Sequence, residues 1–288
     1  MHLLYITFGK NATIHSQAAF SVYTFLAQNE NITSINIITD SPDYYEHIKD
    51  RVRIVKVSRY QLQEWKGPHN FFWRIKIKGL EWICREYAGE EVMYLDTDTF
   101  LFQPLSHLQQ RLKDGFALMH EDEGILSESE NKTERNTWRQ IKNKIFGGLV
   151  MNGQQRMWNA GVVATPNTKD AAEFTLSLNL CDELCSADVP RRLIEQFSLS
   201  TALQHVYGLK PSHTAIAHYW SNKAEWDSRI SAFFTAAHLK GLTVQKAIEN
   251  ISSFDFKSIP IKKRSSNAAR RWHQLIEHLF KQSSADYI

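Results

Sequence analysis

The chain has 288 residues, 43% apolar and 12% aromatic, enough to bury a full core as one large domain or one domain with an appendage. A formal net charge of +3 gives no reason to expect a nucleic-acid partner. The first eight residues, Met1 to Phe8, are too short and too polar-flanked for a signal peptide, and no later apolar run approaches bilayer-spanning length, so a cytoplasmic protein is expected.

In chain order, Leu3 to Phe8 reads as a strand, Ser16 to Gln28 carries apolar residues at helical spacing, and Ser34 to Thr39 reads as a second strand. Asp40-Ser41-Pro42-Asp43 is a helix-start signal, and Val52 to Val57 a third strand. This β-α-β-α-β series predicts a mostly parallel sheet with helices on its faces. Phe71 to Tyr87 then reads as a helix. Its Cys84, together with Cys181 and Cys185 four residues apart on one later helix face, is read as a reduced, half-buried thiol.

The most informative stretch follows: Val92-Met93-Tyr94-Leu95-Asp96-Thr97-Asp98-Thr99-Phe100, an apolar run that ends in two carboxylates. On an extended strand, positions i and i+2 point to the same side. Two anions placed together at the end of a buried strand repel one another and lose hydration, so a cation is expected between them. Oxygen ligands of this kind suit Mg²⁺ or Mn²⁺, ions normally shared with nucleotide phosphates. Open parallel sheets bind ligands at the carboxyl ends of their strands, where this pair falls.

Glu121 to Gln155 is polar, ends in Gly147-Gly148 and Gly153, and predicts a long excursion with a helix over Thr133 to Phe146 and little strand. Met157 to Thr165 returns to a strand, and Lys169 to Cys185 and Pro190 to Tyr207 read as helices. From Ile259 the chain turns basic, and Trp272, Leu275, Ile276, Leu279 and Phe280 recur at helical spacing beside Lys and Arg. That pattern suits a helix lying on an anionic membrane surface, with packing onto the rest of the protein as the alternative.

Two enzyme families place an aspartate pair after an apolar strand. Leu95-Asp96-Thr97-Asp98-Thr99 fits the first motif of haloacid-dehalogenase-like phosphatases, but here about three strand units precede it and no later paired-acid motif follows. The same Asp-x-Asp, followed by Trp158-Asn159-Ala160-Gly161-Val162, Glu195-Gln196-Phe197-Ser198-Leu199 and the segment from His218 to Trp226, resembles in order the motifs of A-fold glycosyltransferases. The order and spacing are closest to the glycogenin-like and bacterial lipopolysaccharide galactosyltransferase group.

The resemblance implies a Rossmann-like α/β nucleotide-diphospho-sugar transferase domain over residues 1–235, followed by a helical basic extension over 236–288. It implies transfer of a sugar from a nucleotide-sugar donor, with a UDP-sugar expected, to a saccharide or glycolipid acceptor, with retention of configuration. Asp96, Asp98 and His218 would bind Mn²⁺ or Mg²⁺. Arg74, Lys78, Thr97, Asn159, Ala160, Gly161 and Lys223 would contact the donor, while Glu195 and Gln196 would lie at the reacting carbon. Spacing alone puts Arg74 and Lys78 on one helix face and Lys76 away from it. Trp158, Trp220 and Trp226 are candidates to stack on sugar faces. The alternatives are the phosphatase and a sugar-nucleotide-binding protein without turnover. Localisation at the inner face of the membrane through the basic tail is a further expectation.

Overall fold

The computed structural model describes residues 1–28, 31–166 and 170–263. The amphipathic pattern from Trp272 to Phe280 lies outside the described residues. The chain begins with β1 (His2–Thr7), α1 (Ala12–Ala27), β2 (Ser34–Thr39), a 3-10 stretch at Pro42–Ile48, β3 (Arg53–Lys56), α2 (Arg59–Trp65) and α3 (Arg74–Glu86). Next come β4 (Val92–Leu95), β5 (Thr99–Leu101), α4 (Ser106–Lys113), β6 (Ala117–Ile125), α5 (Lys132–Ile141), and a small hairpin of β7 (Ile145–Phe146) and β8 (Leu149–Val150). The remainder is β9 (Arg156–Thr165), α6 (Ala172–Ser186), α7 (Arg191–Val206), β10 (Leu209–Pro211), β11 (Ile216–His218), α8 (Lys223–Leu239) and α9 (Val244–Glu249).

Seven strands form one sheet in the order β10-β6-β9-β4-β1-β2-β3. Only β9 runs against its neighbours β4 and β6; the other pairings in this sheet are parallel. The expected mostly parallel α/β sheet is therefore present. Alternation along the strands fills a core on each side of it. Leu4, Ile38, Val92 and Tyr94 face α3, α6 and α7, whereas Leu3, Tyr5, Met93 and Leu95 face α1, α4 and α8. Each such side chain contributes about 1.5–3 kcal/mol on burial, so the alternation fixes the register. Caps reinforce the helix starts: Asn11 Oδ1 accepts from Thr13 N at the start of α1, and Asn131 Oδ1 does so from Thr133 N at α5.

Three expectations need correction. The helix start at Asp40 opens only a 3-10 stretch, because the Asp40 carboxylate accepts from Gly9 N and Ser41 Oγ and gives the segment no side-chain cap. The segment from Glu121 is not strand-poor at its start: β6 runs on to Ile125, seeded by buried Ala117, Leu118 and Met119, and its polar half pairs with β9 through two register shifts. The cysteines Cys84, Cys181 and Cys185 are free, as expected, but buried rather than half-buried. The boundary drawn between residues 235 and 236 falls inside α8, and Ile248, Ile251 and Phe254 beyond it pack into the same core as Phe20 and Trp226. Among the described residues, no helix is long and apolar enough to cross a membrane.

Candidate functional site

The aspartates do not sit on an extended strand. β4 stops at Leu95, and Asp96-Thr97-Asp98 form the turn into β5. The turn is pinned: Asp96 N donates to Gly161 O at 2.8 Å and Thr99 Oγ1 to Asp96 O at 2.8 Å. Antiparallel pairing of β5 with β11 sets His218 opposite Thr99, and Tyr219 N donates to Asp98 O. A short β ladder thus brings a histidine about 120 residues downstream against the carboxylates.

His218 Nε2 lies 3.4 Å from Asp98 Oδ1 and 3.8 Å from Asp96 Oδ2. One ligand atom from each of the three residues falls within 4.8 Å of the others. The orientation of the imidazole follows from its other side. Gly161 N donates to Asn159 Oδ1 at 3.0 Å, which fixes the amide, and His218 Nδ1 lies 2.8 Å from that same oxygen. Nδ1 must therefore carry the hydrogen, and the Nε2 lone pair of the neutral ring faces the carboxylates, as a metal ligand requires. Gly161 makes room for the ring: a Cβ there would stand 2.1 Å from His218 Nδ1. Two carboxylates and an oriented imidazole are a donor set that fits Mn²⁺ or Mg²⁺.

Each aspartate has its own cation. Lys223 Nζ is 3.0 Å from Asp98 Oδ2. Burial would raise the Asp98 pKa, yet His218 when its Nε2 carries a proton, together with Lys223, outweighs it and holds the carboxyl well below its usual range. On the other side, buried Lys76 Nζ reaches Asp96 Oδ1 at 3.2 Å, Glu195 Oε1 at 3.0 Å and Ala160 O at 3.2 Å. Burial opposes the charge on Lys76, but the two carboxylates more than offset it and raise its pKa. Burial pushes the Glu195 carboxyl up, with Lys76 opposing. Tyr94 donates to Asp96 Oδ1. His120 packs edge-on to His218 with centroids 5.3 Å apart and lies 3.2 Å through Nε2 from Ile216 O; burial, with His218 nearby, lowers its pKa to about 3.

The remaining expected residues divide. Gln196 Nε2 donates to Glu123 Oε2 at 2.7 Å at the rim of the site, and Asn159 Nδ2 approaches the same carboxylate at 3.4 Å. Thr97 lines the site but turns its hydroxyl to Gln17 Oε1. Arg74 and Lys78 are not brought to the aspartates. Arg74 holds Asp182 of α6 through two nitrogens, Nε at 2.8 Å and Nη2 at 3.0 Å, and Lys78 pairs with Glu81. They share a face of α3, as their spacing says, but Lys76 occupies the face that meets β4. Trp158 and Trp226 are core, while Trp220 is 42% exposed at the site.

Three cavities meet at Asp96. One of about 250 Å³ is walled by Phe8, Ile14, Phe72 and Trp73 and reaches Asp98 and Lys223. A second of about 250 Å³ lies between Asn159, Ala160, Gly161 and the α7 residues Arg192, Glu195 and Gln196. A third of about 380 Å³ is bounded by Asp98, Glu123, Thr133, Arg192, Gln196 and Trp220. A larger cavity, about 440 Å³ between α8 and residues 250–255, shares no lining residue with them. Glu123 and Arg192 are the site residues that sequence reasoning missed, and Lys76, which spacing set apart from Arg74 and Lys78, is the cation of that helix start that reaches Asp96.

No protein-family model matches the chain, and no curated protein sequence is significantly similar to it. Among solved structures, the chain is similar to the galactosyltransferase LgtC in complex with donor and acceptor sugar analogues, at 16% identity over 74% of this chain and 73% of that one, with a TM-score of 0.47. An active-site mutant of LgtC gives 15% identity over 74% and 72%, with a TM-score of 0.48. Mouse xyloside xylosyltransferase 1, in its apo form, gives 10% identity over 73% and 84%, with a TM-score of 0.45. The chemistry of the site rests on this chain's own residues.

Proposed function

We propose that this protein transfers a sugar from a nucleoside-diphosphate donor, with UDP as the expected nucleotide, to a saccharide or glycolipid acceptor, and that Asp96, Asp98 and His218 hold Mn²⁺ or Mg²⁺. The observation that carries the reading is the convergence of these three ligand atoms at the carboxyl end of a central strand, with the imidazole tautomer set by Asn159. When bound, the ion supplies Lewis-acid stabilisation of the charge that develops on the departing diphosphate.

The chain's own residues then have separable tasks. The cavity walled by Phe8, Phe72 and Trp73 suits a nucleobase and ribose. Lys223, half exposed beside Asp98, reaches the place where a diphosphate would lie and adds positive charge to it. The second cavity takes the transferred sugar, against Gly161 and Gln196, and the third takes the acceptor, beside the exposed Trp220. Lys76 holds Asp96 and Glu195 in place through its two ion pairs. In this reading, Gln196 faces the anomeric carbon and reaction proceeds with retention. The protein would act in the cytoplasm, with contact to the inner membrane face through the basic tail from Ile259, of which residues 264–288 lie outside those described.

The test is release of nucleoside diphosphate from a panel of nucleotide sugars by purified protein, with Mn²⁺ and with chelator. Turnover that needs the metal, and that Gln196→Ala lowers about tenfold or more while leaving UDP affinity in place, supports the assignment. NMR of the product linkage reads the stereochemistry. A protein that neither turns over nor binds any nucleoside diphosphate contradicts it.

A further inference from the structure

The cations around the site are matched to acids, with one exception. Lys76 serves Asp96 and Glu195, Lys223 serves Asp98, and on the flanks Arg74 serves Asp182 and Arg156 serves Asp122. Arg192 lines both the second and the third cavity, and among the described residues its side chain has no ion pair or hydrogen bond. Two nearby acids are already engaged, Glu195 by Lys76 and Glu123 by Gln196, while Glu134 borders the third cavity and, among the described residues, its carboxylate makes no ion pair.

The position of Arg192 on α7 is specific. It stands one turn before Gln196, at i and i+4, and three residues before Glu195, so all three present the same helix face to the site. The first turn of α7 contains Arg191 and Arg192 and no acid, so the positive end of the helix dipole adds to the guanidinium charge instead of cancelling it. Neutral sugar hydroxyls are recognised by amides and carboxylates, which Asn159, Gln196 and Glu123 already provide here. A planar, permanently charged fork matches a carboxylate or a phosphate group, bound through two parallel hydrogen bonds. The other charged residues of the third cavity are Asp96, Asp98, Glu123, Glu134 and Lys223, the last paired with Asp98, so an anionic group is repelled by the acids and finds Arg192 as the unpaired cation on that wall.

We propose that one of the two sugars handled by this site carries an anionic group, a carboxylate or a phosphate, and that Arg192 at the junction of the second and third cavities binds it. This rests on the sugar-transfer reading and narrows its substrate class. If the group is on the donor, it is a uronate of the transferred sugar in the second cavity. If it is on the acceptor, it is a carboxylate or phosphate on the saccharide in the third.

The experiment is calorimetry on the full chain and on Arg192→Gln with Mn²⁺, after UDP, GDP, ADP and TDP have been compared to choose the nucleotide. The donor arm compares the glucuronate and galacturonate nucleotide sugars with their glucose and galactose counterparts. The acceptor arm adds glucuronate, glucose 6-phosphate or glucose to the protein already holding the nucleoside diphosphate and Mn²⁺. The expected result is a preference of about tenfold or more for the anionic member in one arm, as for a charge-assisted bidentate contact, and its loss in Arg192→Gln with nucleoside diphosphate affinity retained. Equal affinity for anionic and neutral sugars in both arms, with the nucleoside diphosphate bound normally, overturns the inference and leaves the transfer reading standing. It is overturned equally if Arg192→Gln weakens the nucleoside diphosphate itself, because the guanidinium then serves the diphosphate. Absence of any nucleoside diphosphate binding removes the transfer reading, and the inference with it.

Discussion

Asp96 and Asp98 stand two residues apart in one turn, yet they inhabit different surroundings. Asp96 turns one oxygen inward, where buried Lys76 and the Tyr94 hydroxyl take it and Glu195 shares the ammonium, while the residue also borders all three cavities. Asp98 is itself buried, but its cationic partner Lys223 is half exposed, and the cavities open beside it. The first has a buried cation behind it; the second has a half-exposed cation beside it. A pair of like residues in a motif can therefore divide the work. Asp96 ties the turn to α3 and α7 through one oxygen, and both aspartates face the cavities.

Removing Lys76 should break this comparison most severely. Lys76→Met leaves Asp96 and the buried Glu195 without their shared cation, at a cost of about 3–5 kcal/mol in folding stability, measured by denaturant unfolding. Adding Glu195→Gln to Lys76→Met should recover part of that loss. If Lys76→Met unfolds at the wild-type midpoint, the Asp96 side is not an ion cluster that holds the fold.

Gly161→Ala should act on the other side. The added methyl meets the His218 ring at 2.1 Å, so the imidazole must leave its place while the sheet persists. Mn²⁺ affinity should fall by about 10–100-fold, as for other losses of ligand orientation, with little change in melting temperature. Isothermal titration with Mn²⁺ alone reads this without any substrate, and unchanged affinity would mean that His218 does not bind the ion.

His120 gives the smallest effect. In the folded protein its pKa is lowered from 6.5 to about 3, so it stays neutral where an unfolded histidine takes up a proton. The unfolded state therefore binds more protons below pH 6.5. Stability contributed above that pH is lost as pH falls towards 3, by at most about 1.4 kcal/mol per pH unit. His120→Gln should show a shallower decline than wild type between pH 6.5 and 5, in thermal unfolding followed across pH. Parallel pH curves would contradict the buried neutral histidine.

The sequence made the scaffold legible where a period was strong. β2 matches its expected limits, β1, β3 and β9 begin or end within a residue or two of theirs, and the helices α1, α3, α6 and α7 fall where apolar spacing put them. Short strands held by distant partners were not legible. β5, β10 and β11 have three residues each, and nothing local marks them, although the β5–β11 pairing is what delivers His218. The helix α3 shows the limit of face arguments: spacing correctly grouped Arg74 with Lys78, but only the fold decides which face meets β4. Glu123 and Arg192 were invisible for a related reason, since a polar residue in a strand end or a helix start has many ordinary uses until its neighbours are known.

The central claim is that Asp98, with Asp96 and His218, holds a divalent cation that in turn holds the donor diphosphate. Calorimetry of UDP binding with and without Mn²⁺, on wild type and Asp98→Asn, tests it most directly. The account predicts metal-dependent binding in wild type. In the variant, which keeps the shape but loses the anion, it predicts binding weakened by about 10²-fold or more, and a comparable or larger fall in donor turnover. Equal, metal-independent binding of UDP by both proteins would contradict the account.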